Sequence, residues 1–256
     1  MKKEVLVVIF ALFFMSITAI TGAYAIDENE KVKTIIEEHE DLTGDGKEEN
    51  ILVKGEVMDD ENDIYKRFLI EVVDNHGGKH QIELEEGVSP HLTFQDLNQD
   101  GIKDMLVSVS NSGSGEISNH YLYALKDDRI TDLTVPDPLI IQSQFLNGYK
   151  AKINIDNNHK SHKFNLKNRA EDYENAGLYY NGILNEPTEL MVQSYSKLEP
   201  VKLKGSKLGL KGVQTISGAH QGDVIANIES TWEYKSGEWA LVSTKVIETP
   251  YIKMEQ

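Results

Sequence analysis

Asp96-Leu97-Asn98-Gln99-Asp100-Gly101-Ile102-Lys103-Asp104 is the stretch that decides how this chain folds. Oxygen-bearing side chains stand at its positions 1, 3, 5 and 9, and a glycine stands at position 6. A hard cation such as Ca²⁺ takes several oxygen ligands from a short, sharply turning loop, and this spacing offers them. A second copy lies 55 residues earlier, as Asp41-Leu42-Thr43-Gly44-Asp45-Gly46-Lys47-Glu48-Glu49. In the later copy the expected ligands are the side chains of Asp96, Asn98, Asp100 and Asp104, with the carbonyl of Ile102 at position 7. In the earlier copy they are Asp41, Thr43, Asp45 and Glu49, with the carbonyl of Lys47. Thr43 is a poorer side-chain ligand than Asn98, so the earlier site is expected to be the weaker. Either loop alone also reads as an Asp/Asn/Gly-rich turn that binds nothing. Recurrence at a fixed offset favours the metal.

Working outward, each loop is entered from one apolar-alternating run and leaves into another. His91 to Gln95 precedes the later loop and Met105 to Ser110 follows it. Val32 to Glu40 reads as helix or strand by itself; its equivalence to His91–Gln95 selects strand, and Asn50 to Lys54 follows its loop. An EF-hand requires a bidentate glutamate at position 12, where Leu52 and Val107 stand, so these loops lead into a sheet rather than a helix. Each unit continues with two more strands: Ile64–Asp74 and His80–Leu84 in the first, Asn119–Lys126 and Arg129–Leu133 in the second. One loop and several short strands at a period near 55 residues is a sheet-forming repeat.

The two motifs, Asp41-x-Thr43-x-Asp45-Gly46-x-x-Glu49 and Asp96-x-Asn98-x-Asp100-Gly101-x-x-Asp104, resemble the calcium loops of FG-GAP/VCBS-type repeats. Such repeats occur in integrin-like β-propellers and in bacterial secreted proteins. The resemblance covers about residues 30–135 and implies four-stranded blades, each holding Ca²⁺ between strands. Phe-Gly dipeptides and Gly-Ala-Pro tripeptides are missing, and no third loop follows Asp104. The expected fold is therefore all-β, with antiparallel sheets in a small or incomplete β-propeller-like arrangement rather than a closed ring.

Val135-Pro136-Asp137-Pro138 breaks the pattern and divides an acidic repeat region, 26–135, from a β-rich C-terminal region, 136–256. Strands are expected over Leu139–Leu146 and Lys150–Asp156 around an Asn147-Gly148 turn. They are expected again over Glu189–Tyr195 and Leu198–Lys204. Residues 167–188 read as loop with a short helical turn near Arg169–Ala176, and Gly205 to Gly212 reads as a Gly/Lys-rich loop. Val224, Ala226, Ile228, Trp232 and Tyr234 alternate with polar residues up to a Lys235-Ser236-Gly237 turn, which predicts a half-buried hairpin. Trp232 and Trp239 flank that turn and are expected to meet across it, closing a core or, less simply, forming a sugar-stacking platform.

Charge and termini bound the function. Between residues 26 and 135 there are 27 acidic against 10 basic residues, while 136–256 balances at 14 each. An acidic half repels nucleic acid and anionic lipid, which argues against nucleic-acid partners, and it attracts divalent cations. Lys2, Lys3, an apolar run from Val5 to Ile20 and the small residues up to Ala25 read as a signal peptide over 1–25, cleaved after Ala25. An uncleaved anchor is the competing reading. Absence of cysteine removes disulfides, thiolate chemistry and cysteine-based zinc sites.

Other clusters read more simply as surface. Asp59–Asp63 lacks a turn glycine. The pairs His76/His80 and His159/His162 lack a third ligand. Ser110–Gly115 lacks the lysine and helix of a phosphate loop. Lys202, Lys204, Lys207 and Lys211 read as a basic loop, with contact to an anionic wall polymer as the competing reading. No Ser/His/Asp order, zinc-protease motif or nucleotide fingerprint occurs. The expected function is a secreted, calcium-binding, non-catalytic β-repeat protein with a binding or scaffolding role at the cell envelope or outside it. Its expected partner is a protein or an envelope glycan. The alternatives are a secreted hydrolase of envelope polysaccharide with structural calcium, acting through one pair of its many carboxylates, and a calcium-responsive partner-binding protein.

Overall fold

A computed structural model describes residues 32–111, 118–127, 129–156 and 160–251. The signal-peptide segment, most of the Ser/Gly-rich stretch and His159 lie outside the described residues. The chain is all-β with five antiparallel sheets, and within each sheet successive strands are neighbours. The first sheet is β1 (Val32–Glu40), β2 (Glu49–Asp59), β3 (Ile64–Val73) and β4 (Lys79–Leu84). The second is β5 (Val88–Gln95), β6 (Asp104–Ser110), β7 (Ser118–Lys126) and β8 (Arg129–Asp132). The 55-residue repeat is visible in the register: Glu40 faces Glu49 across the first loop, and Gln95 faces Asp104 across the second.

No strand covers residues 133–140. A three-stranded sheet follows, of β9 (Ile141–Leu146), β10 (Lys150–Ile155) and β11 (Lys160–Asn165). The expected helical turn is present as a 3₁₀ turn, Lys167–Arg169, running into α1 (Ala170–Asn175). The small hairpin β12 (Tyr179–Tyr180) and β13 (Ile183–Leu184) leads to the last sheet. That sheet holds β14 (Met191–Lys202), β15 (Leu208–Ser217), β16 (Val224–Lys235) and β17 (Glu238–Glu248). Among the described residues no helix is long and apolar enough to cross a membrane.

Three expectations for the C-terminal region are corrected. Glu189–Tyr195 and Leu198–Lys204 form one strand, β14, because irregularities at Val192/Tyr195 and Tyr195/Lys197 absorb the break in alternation. Leu208 to Gly212 is the start of β15, not loop. Its glycines are there for close approach: a β-carbon on Gly212 would lie 2.2 Å from the Tyr195 ring, and one on Gly209 2.1 Å from the Trp232 carbonyl. Lys207 and Lys211 are ion-paired to Glu233 and Glu199, each at 2.9 Å. Trp239 faces Tyr234 rather than Trp232, with ring centroids 5.2 Å apart. Trp232 is buried in the C-terminal core, donating from Nε1 to Ser230 Oγ, so the two indoles form no shared platform. Strand β11 was not expected, since its Lys-Ser-His-Lys-Phe-Asn sequence carries a single large apolar residue.

Three cores hold the sheets together. Ile51, Val53, Phe68 and Ile70 of the first sheet pack with Met105, Val107 and Val109 of the second. Phe145, Ile153, Phe164 and Tyr173 pack with Ile216, Ile228 and Trp232 in the C-terminal core. The third joins the second sheet to the last one: Leu97, Leu106 and Leu122 meet Tyr195, Leu198 and Leu210. Strand β6 thus buries both faces, with Met105, Val107 and Val109 on one and Leu106 on the other, which explains its consecutive apolar residues Met105-Leu106-Val107.

His120 of β7 sits at this third junction. Its Nδ1 is 2.8 Å from Ser108 Oγ, its ring is 6.4 Å from that of Tyr195, and its Nε2 is buried without a partner. Burial pushes its pKa down to about 4. A folded-state value below the unfolded one means that the unfolded chain binds the proton more tightly. The contribution to stability is therefore whole above the unfolded pKa of about 6.5 and falls as pH drops toward 4. His120→Gln should abolish that component. The expected difference between wild type and variant in urea-derived stability changes by about 2–3 kcal/mol between pH 7 and 4. A pH-independent difference would refute the assignment.

Candidate metal centre

The first loop, residues 41–48, joins β1 to β2, and the second, 96–103, joins β5 to β6. In each the position-9 carboxylate is the first residue of the outgoing strand and is almost fully buried: Glu49 and Asp104 are each 1% exposed. That carboxylate pulls the loop shut. Leu97 and Asn98 N–H donate to Asp104 Oδ2 at 2.8 and 2.9 Å, and Asn98 Nδ2 donates to Oδ1 at 3.0 Å. Leu42 and Thr43 N–H donate to Glu49 Oε2 at 2.7 and 3.1 Å. The longer side chain also leaves Glu49 Oε1 within reach of Asn75 Nδ2, at 3.1 Å, from outside the loop.

Position 1 closes the other end of the turn. Gly44 and Gly46 N–H donate to the two oxygens of Asp41, at 2.7 and 2.9 Å. Gly101 N–H donates to Asp96 Oδ2 at 3.1 Å. Position 5 accepts from position 7 in both copies: Lys47 N–H to Asp45 at 2.8 Å and Ile102 N–H to Asp100 at 3.0 Å. Gly46 and Gly101 have φ of +83° and +91° with open space where a β-carbon would stand, so glycine serves backbone conformation there, not crowding. Position 4 is also left-handed in both copies, as Gly44 in the first and Gln99, with φ +67°, in the second. The Gln99 side chain donates to the Tyr234 carbonyl at 3.4 Å, tying the second loop to the last sheet.

The electrostatics suit a cation. Burial, reinforced by Asp100 and Asp96, drives the Asp104 carboxyl up to about 6 against the pull of its two backbone donors. Glu49 is raised for the same leading reason, with Asp41 and Asp45 adding to it. Asp96 Oδ1 is buried and has no hydrogen-bond partner. An orphaned carboxylate oxygen beside a desolvated carboxyl is what an oxygen-ligated ion satisfies. The first loop carries no such orphan. The donor sets Asp96, Asn98, Asp100, Ile102 carbonyl, Asp104 and Asp41, Thr43, Asp45, Lys47 carbonyl, Glu49 therefore fit Ca²⁺ in chemistry. Most of their oxygens accept from the chain itself, and among the described residues no three His, Asp or Glu side chains are gathered at metal-holding distance.

The remaining clusters, read in the sequence as surface, make ordinary pairings. His80 Nε2 lies 3.6 Å from Asp74 Oδ2, and His162 Nε2 lies 2.9 Å from Glu248 Oε1. Asp59 is engaged within its own turn, accepting from Glu61 N–H and Asn62 Nδ2.

A second buried polar centre was not visible in the sequence. Arg169 bridges to Asp223 by an ion pair and donates to the Val224 carbonyl at 2.8 Å. Tyr173 OH and Ala219 N–H donate to Asp223 Oδ2 at 2.7 and 3.0 Å. Burial first, then the bond to Asp223, raises the Tyr173 phenol. This group lines a cleft of about 780 Å³ between α1 and the β15–β16 turn, crossed by Tyr251. Both Asp223 oxygens are occupied by donors, which makes the group a clamp rather than a base.

Residues 139–247 match a family model described as the YybI C-terminal domain. The match takes in the Arg169–Asp223 clamp and leaves both loops outside it. No curated protein and no solved structure matches the chain.

Proposed function

We propose that this is a secreted, non-catalytic β-repeat protein whose two loops take up Ca²⁺, and that it binds or scaffolds a partner at the cell envelope or outside it. One observation carries the reading: two loops 55 residues apart share one wiring, each around a desolvated position-9 carboxylate, and the second keeps an orphaned Asp96 oxygen. The leader-like N-terminus supports export, and the excess of acid in the loop-bearing half supports cation uptake. Two four-stranded meanders with a loop after the first strand agree with the FG-GAP/VCBS resemblance and with a small, incomplete propeller-like arrangement. When bound, the ion supplies positive charge to carboxylates that otherwise repel one another. The chain's residues do the rest: Asp104 and Glu49 hold the loop ends together, and Gly101 and Gly46 make the turn.

Thermal melts with calcium and with chelator test this. An ion that binds only the folded protein at one hundred times its dissociation constant stabilises by about 2.7 kcal/mol. For a chain of this size that is a rise of about 5–10 °C. The double variant Asp96→Ala, Asp100→Ala should lose most of the rise. Midpoints indifferent to calcium in both proteins would end the proposal. A crosslinking pull-down from native envelope, with calcium and with chelator, then identifies the partner.

A further inference from the structure

The two loops touch each other. A β-carbon on Gly44, position 4 of the first loop, would lie 3.0 Å from Ile102 Cγ1 and 3.1 Å from its Cδ1. The Ile102 side chain thus lies on the first loop, while its backbone occupies position 7 of the second. One residue on, Lys103 forms an ion pair with Glu40, the residue before Asp41. Two contacts from neighbouring residues therefore tie the second loop to the first.

We infer that the loops bind calcium as a coupled pair, with Ile102 carrying the coupling, so that filling either loop strengthens the other. This rests on the calcium reading of the loops. Gly44 has φ +76° and is one of two left-handed glycines in its loop, so ordering it opposes binding. An ion in the second loop fixes the Ile102 backbone, and with it the side chain on Gly44. The first loop is then ordered in part before its own ion arrives. Charge works against this coupling: each loop offers three carboxylates, and a Ca²⁺ in one loop lowers that loop's pull on a second cation, a field screened over about 8 Å at physiological salt, so the ordering through Ile102 has to exceed it.

Calcium titration calorimetry on the full chain tests the coupling. Asp96→Asn with Asp100→Asn disables the second loop, and Asp41→Asn with Asp45→Asn disables the first. Each pair should weaken the surviving site about five- to tenfold relative to that site in wild type. Binding coupling is reciprocal, so the two factors must agree. Ile102→Ala should keep two sites, each with its single-loop affinity. A melt in chelator that matches wild type will show that the variant folds. Surviving sites with unchanged affinity would overturn the coupling. Coupling that persists in Ile102→Ala, or vanishes in 0.5 M KCl, would overturn the role of Ile102. A wild-type protein that takes up no calcium would instead sink the reading of the loops themselves, and the coupling with it.

Discussion

Arg169→Met is expected to destabilise the C-terminal core by about 3–5 kcal/mol, the usual loss when one partner of a buried ion pair is removed. Arg169 is 4% exposed and Asp223 7%. Without the guanidinium, Asp223 keeps only the Tyr173 hydroxyl and the Ala219 N–H, and the Val224 carbonyl loses a donor. A full charge is then left where water hardly reaches. Arg169→Met combined with Asp223→Asn should recover most of the loss, because the amide still accepts from Tyr173 without carrying charge. The same change frees Tyr251, whose ring centroid is 4.8 Å from the Arg169 guanidinium and whose hydroxyl bonds Asp172. Residues 249–251 should become protease-sensitive before the sheets do. Urea titration of the single and double variants measures the loss and its recovery, and limited proteolysis measures the release of residues 249–251. A single variant within about 0.5 kcal/mol of wild type, in the range of a neutral surface change, would show the clamp to be dispensable.

Why that clamp escaped a reading of the sequence is instructive. Arg169 and Asp223 are 54 residues apart, in a turn and in a strand connection, and neither stands in a pattern that needs the other. The same is true of Asn75 on Glu49 and of Ile102 on Gly44, since a period relates the two loops as copies but does not say that they touch. The repeat was legible because its signal is local and duplicated. The turn glycines, the position-9 acids and the alternating strands recur at one offset, and the register follows from them. The Trp232–Tyr234 strand was legible for the same reason, since alternation over several residues has few rivals. Leu208–Gly212 was misread because glycine marks both turns and close approach. Only the Tyr195 ring over Gly212 and the Trp232 carbonyl against Gly209 separate the two meanings.

Leu97→Ala should be strongly disruptive in the acidic half while leaving every proposed ligand in place. Leu97 is position 2 of the second loop and is fully buried among Tyr195, Leu198 and Leu210 of the last sheet. Truncating such a leucine removes about 2–5 kcal/mol, the upper part where neighbours cannot collapse into the space. Strand β6 is held on both faces and Gly212 fits tightly under Tyr195, so little collapse is expected. Leu42→Ala is the matched comparison. Leu42 is position 2 of the first loop, but it is buried in the core shared by the first two sheets. Both variants should lose stability. Only Leu97→Ala should raise hydrogen exchange in β14 and β15 as well as in β6, because only Leu97 reaches the last sheet. Its N–H also holds Asp104 Oδ2, so loosening the side chain loosens the carboxylate at position 9. Calcium should therefore restore part of the protection lost in Leu97→Ala, and restore it in the last sheet as well as in the loop. If exchange in β14 and β15 ignores both the truncation and the ion, the second loop is a stable turn with no influence beyond its own sheet.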